Sequence, residues 1–152
     1  MVLKMKLLIL LLLLISNPAF SKPSHFSSVI GSALQCSDQV SAIYFNDYMA
    51  TYFGKPEFTS GGANWWKVSG RLFNSQLEYI FVGVNQDFIG ATFTDTPDKL
   101  MANIKSSTGL DYKQAGAEKW VAPTYSVIIK YNDNTTPSKM FCIGSPYSSS
   151  LS

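Results

Sequence analysis

Between residues 37 and 53 the apolar and aromatic positions recur at helical spacing. Val40, Ile43, Tyr44, Tyr48 and Tyr52 fall on one stripe, with Asp47 and Thr51 among them. Ser37 or Asp38 is expected to cap this helix, because a side-chain oxygen there can accept from free first-turn amides. Gly54 and Pro56 should end it. From Asn64 the period falls to two. Trp66, Val68, Gly70 and Leu72 alternate with Trp65, Lys67, Ser69 and Arg71, which predicts a strand with one dry and one wet face. A turn at residues 74–76 leads to a second strand, 77–84. It is apolar on both faces apart from Glu78 and is therefore expected to be central. After a turn at 85–87, residues 88–94 form a third strand and complete an antiparallel meander.

A second helix is predicted from Thr96. Threonine caps, Pro97 suits the first helical position, Asp98 favours the positive helix end, and Gly109 closes it. Leu100, Met101 and Ile104 supply its apolar stripe. Residues 110–118 read as irregular. A long strand is expected over 120–131, with Pro123 marking a bulge or an edge, and a last strand over 139–143. The order is α-β-β-β-α-β-β. The expected fold is α+β: an antiparallel sheet of about five strands, packed by an N-terminal helix and a second, shorter helix.

The ends of the chain behave differently. Lys4 and Lys6 precede an apolar run over residues 7–15, followed by a polar, helix-breaking segment with small residues at Ala19 and Ser21. This is the pattern of a secretory signal peptide over 1–21, cleaved before Lys22. The run is far short of the roughly 20 apolar residues a membrane-spanning helix needs, so no stable anchor is expected after cleavage. The expected divisions are a signal peptide (1–21), a serine-rich, loosely held segment (22–35), one domain (36–144) and a fraying tail (145–152).

Export changes the reading of the cysteines. Cys36 and Cys142 are the two present, and an even count in an oxidising compartment predicts one disulfide between them. Export also changes the charge. Without Lys4 and Lys6 the chain has as many basic as acidic residues, and Arg71 is its one arginine. Nucleic-acid binding has no electrostatic basis in such a balance.

Most catalytic chemistry lacks its residues. His25 is the single histidine and lies in the segment expected to be loosely held, which does not suit a nucleophile–imidazole pair. No cluster of ligands suggests zinc. Gly61-Gly62 precedes a strand and lacks a phosphate-loop pattern. Asn132-Asp133-Asn134 lacks the glycine and glutamate of a calcium loop. Neither catalytic nor metal residues are therefore assigned, and no cofactor is expected. Acids are more numerous, but most fall at turns and helix starts. Asp47 stands apart on an aromatic helix face, where a hydrogen bond to a tyrosine hydroxyl is expected.

Aromatic content is what remains. Adjacent strand residues face opposite ways, so Trp65 and Trp66 cannot both lie beneath a sheet covered on one side. With Trp66 inside, Trp65 is either displayed beside Lys67 and Arg71 or covered by the second helix or by 110–118. Tryptophan and arginine are enriched where binding energy concentrates. Trp65, Lys67 and Arg71 are accordingly the candidate binding residues. The expected function is that of an exported, periplasmic or secreted binding protein. It would occlude a protein partner in the cell envelope or outside the cell, as an inhibitor or toxin-immunity protein does. A small carboxylate-dependent cell-wall or glycan hydrolase is the alternative, and a carrier of an apolar ligand a weaker one.

Overall fold

The computed structural model describes residues 22–131 and 135–144. The expected signal peptide (1–21), the tail (145–152) and Asn132-Asp133-Asn134 lie outside the described residues. Among the described residues the architecture is α+β, with one antiparallel sheet and three helices. In chain order the elements are α1 (Phe26–Leu34), α2 (Ala42–Phe53), β1 (Phe58–Ser60), β2 (Ala63–Leu72), β3 (Ser75–Gly83) and β4 (Phe88–Phe93). There follow α3 (Pro97–Thr108), β5 (Lys113–Gly116), β6 (Lys119–Val121), β7 (Val127–Lys130) and β8 (Ser138–Ile143).

The sheet has eight strands, ordered β1-β2-β3-β4-β8-β7-β6-β5, where about five were expected. Three differences account for the change. The glycine-containing stretch after Pro56 contributes the short edge strand β1. The irregular stretch after Gly109 contributes the opposite edge, β5. The long strand expected over 120–131 is two strands, β6 and β7, because the chain reverses at Pro123. There Tyr125 takes φ 72° and its amide donates to Ala122 O at 2.9 Å. Two meanders, β1–β4 and β5–β8, thus join along β4 and β8, with α3 as the crossover.

The helix order also differs. Residues 26–34, expected to be loosely held, form α1. Phe26, Ile30, Ala33 and Leu34 are fully buried at helical spacing, so this stripe docks on the sheet despite its serine-rich setting. The cap of α2 is Ser41, whose Oγ accepts from Tyr44 N at 3.3 Å, rather than Ser37 or Asp38. Helix α3 begins and ends as expected. Thr96 Oγ1 accepts from Lys99 N, and Gly109 takes the left-handed conformation at φ 79°.

All three helices lie on one face of the sheet. Phe45 and Met49 of α2, Leu100 and Ile104 of α3, and the α1 stripe meet Trp66, Val68, Ile80, Val82, Ile89, Ile128 and Met140 in one core. Two tethers lock this layer. Cys36, just after α1, is disulfide-bonded to Cys142 on β8, closing a sequence separation of 106. Buried Tyr112 donates to Ser126 Oγ at 2.7 Å, and Ser126 Oγ donates to Leu34 O at 2.6 Å, fixing the β6–β7 turn to the end of α1. Among the described residues no helix is long and apolar enough to cross a membrane.

Candidate functional site

The face of the sheet opposite the helices is also apolar, and among the described residues no helix covers it. Directly paired residues of an antiparallel sheet share a face. Register therefore builds one continuous row across all eight strands of this open face: Phe58, Trp65, Phe81, Gly90, Phe141, Val127, Val121 and Lys113. A neighbouring row reads Lys67, Tyr79, Thr92, Lys139, Ile129 and Lys119. Aromatic side chains concentrate at the β1–β3 end. Trp65 stacks on Phe81 with centroids 4.5 Å apart and on Phe58 at 5.5 Å. Tyr79 meets both Trp65 and Phe58 edge-on. These separations fall within the favourable aromatic range.

Trp65 is thus on the face opposite Trp66, as strand alternation requires, and it is half-buried among rings rather than isolated. Its indole N–H donates to Ser60 O at 3.0 Å. Lys67 is exposed and pairs with Glu78 at 3.7 Å. Arg71 lies beyond a register shift between Lys67 and Gly70, at the β2–β3 turn, where its guanidinium donates to Asn74 O. Asn103 of α3 donates to the same carbonyl, so Arg71 belongs to the tether between this hairpin and α3.

The cation that accompanies Trp65 is Lys139, on β8. Its Nζ lies 5.5 Å from the Trp65 ring centroid, 5.4 Å from Phe81 and 4.0 Å from Tyr131. Burial holds the Lys139 ammonium pKa below the usual lysine range. Beside this cluster is a cavity of about 360 Å³ walled by Phe58, Trp65, Tyr79 and Tyr131. Ser60, Glu78, Thr92, Thr135 and Thr136 supply its polar lining. The register shift between Leu77 and Tyr79 brings Glu78 to this opening, and Tyr79 N donates to Thr92 Oγ1 at 3.2 Å across the same irregularity.

Sequence reasoning missed Lys139, Phe58, Tyr79, Phe81 and Tyr131. Strand 77–84 carried the available signal. A strand apolar on both faces implies that the second face also meets apolar groups.

The other singled-out residues have local roles. His25 is held rather than loose: Nδ1 shares a 2.9 Å hydrogen bond with Tyr48 OH, and the ring packs edge-on against Tyr48 and Tyr52. Asp47 is exposed on α2, and the tyrosine hydroxyl beside it serves His25 instead. Among the described residues no group of three His, Cys, Asp or Glu side chains could hold a metal ion. No family model, curated protein or solved structure matches this chain.

Proposed function

We propose that this chain is an exported binding protein that occludes a protein partner through its helix-free sheet face, as an enzyme inhibitor or toxin-immunity protein does. The observation that carries the reading is the exposed Phe58 stacked on half-buried Trp65 on the open face, with buried Phe81 behind them and Lys139 lying over Trp65 and Phe81. Contiguous apolar surface on a small domain marks an interaction site, and tryptophan and tyrosine supply much of the binding energy at such sites. The disulfide fits an oxidising compartment.

The hydrolase reading has less support. It needs two facing carboxylates. Among the described residues the cavity lining offers one, Glu78, and Lys67 engages it. The carrier reading needs space between helices and sheet, and that space is occupied by Phe26, Phe45, Met49, Trp66 and Ile80.

The test is affinity capture from envelope extract with the mature protein, alongside Trp65→Ala and, on the helix side, Ile43→Asp. The reading expects a captured protein whose own activity falls on binding, retained by Ile43→Asp and lost with Trp65→Ala. Equal recovery by Trp65→Ala would overturn it.

A further inference from the structure

Lys139 differs from the other lysines of the described chain. Lys67, Lys99, Lys105 and Lys130 each pair with a carboxylate. Lys22 donates to Arg71 O, while Lys55, Lys113 and Lys119 are exposed to water. Lys139 is half-buried, with no carboxylate within ion-pair distance among the described residues, and aromatic rings surround its ammonium. Ring faces offset part of the lost hydration of a cation but do not neutralise it. An anion arriving from solvent would meet a positioned charge with water already excluded on the ring side, where a charge pair is stronger than in bulk water.

The surrounding charge points the same way. The two rows of the open face carry Lys67, Lys113, Lys119 and Lys139 and no acid; of the acids flanking them, Glu78 is held by Lys67 and Glu118 by Lys130, which leaves Glu57 at the β1 edge. Asp47 and Asp98 are on the helices that cover the other face. The open face is therefore weighted towards positive charge although the mature chain is nearly balanced.

Resting on the protein-partner reading above, we infer that Lys139 anchors an Asp or Glu carboxylate of an acidic protein segment lying along the open face, with that segment's apolar side chains against Trp65 and the exposed Phe58. The partner's interacting region would alternate acidic and apolar residues, matching the basic row beside the aromatic row. Burial of the Lys139 ammonium, which lowers its pKa, agrees with a charge left for a partner to complete.

The experiment titrates the mature protein with a synthetic peptide alternating glutamate and phenylalanine, and with the same peptide carrying Gln or Lys for Glu. Binding is followed by calorimetry and tryptophan fluorescence at low salt. The Glu peptide is expected to bind at least about tenfold more tightly than the Gln peptide, with the Lys peptide weakest. Lys139→Met should remove the Glu preference and Lys139→Arg should keep it, both with an unchanged circular dichroism spectrum. Lys99→Met, on α3 at the other side of the sheet, should leave the preference in place. Equal binding of Glu and Gln peptides that is lost with Trp65→Ala would overturn the anchor and leave the protein-binding face standing. Failure of all three peptides, together with native partner capture that ignores Trp65→Ala, would overturn both. Tighter binding of a fatty acid such as dodecanoate than of the Glu peptide would overturn the anchor and assign the face to lipid.

Discussion

The ring of Phe81 rests where a side chain at Gly90 would begin: a Cβ on Gly90 would lie 1.9 Å from Phe81 Cζ. The two residues are register partners on β3 and β4. The missing side chain lets the Phe81 ring lie flat on the sheet and meet Trp65 from the next strand. One backbone position thus sets the geometry of the aromatic row.

Gly90→Ala should therefore displace Phe81 and, with it, the stack on Trp65. Inserting a methyl group into a packed contact costs about 1–3 kcal/mol. Denaturant unfolding is expected to show a loss in that range, with a shift in tryptophan emission. Unchanged stability and emission would show that the ring does not sit over Gly90.

The disulfide should dominate stability against reduction. Crosslinking a loop of this length restricts the unfolded chain by up to about 4.7 kcal/mol. The Cys36→Ala/Cys142→Ala double variant is expected to unfold at much lower denaturant while keeping its circular dichroism spectrum at low temperature. Its loss should match that of the reduced native protein, since both break the same tether between α1 and β8.

Helix α1 should behave as core. Ile30 is fully buried, and truncating such a side chain costs about 2–5 kcal/mol. Ile30→Ala is expected to fall in that range and to make the first helix sensitive to protease. A change below roughly half a kcal/mol, the usual size for a surface substitution, would mean that residues 26–34 are not packed.

Alkali should unfold the protein through its buried tyrosines. Burial raises the Tyr112 pKa from 10.0 to about 12. Burial raises Tyr48 likewise to about 12, with added repulsion from Tyr52 and Tyr44. A folded-state pKa above the unfolded one means that the folded state binds more protons between those values. Stability is then fully present below about pH 10 and is lost as pH rises towards about 12. For Tyr112 the loss is on the order of 2–3 kcal/mol. Unfolding free energies measured from pH 9 to pH 12 should fall across this window, and Tyr112→Phe should fall less steeply.

Much of the helix–sheet layout was legible because its signals are local. Thr96, Pro97 and Gly109 mark α3 by capping chemistry that acts within one turn. Trp66, Val68 and Leu72 mark the dry side of β2 by alternation. What was not legible depends on distant pairing. Strands β1 and β5 are short, exposed edges whose ladder partners, not their composition, make them strands. Serines conceal the stripe Phe26, Ile30, Ala33 and Leu34. Pro123 was visible, but one residue cannot distinguish a bulge from a reversal. For the site, one strand was enough to put Trp65 opposite Trp66. Phe58, Phe81 and Lys139 reach it through the register of three other strands, which no single segment encodes.

The most direct measurement is site-specific photocrosslinking in the producing cell, with a benzophenone side chain at Phe141 on the open face and, separately, at Ile43 on α2. Occlusion through the bare side of the sheet predicts one discrete protein adduct from position 141 and none from 43. Adducts from 43 alone, or from neither position, would contradict it.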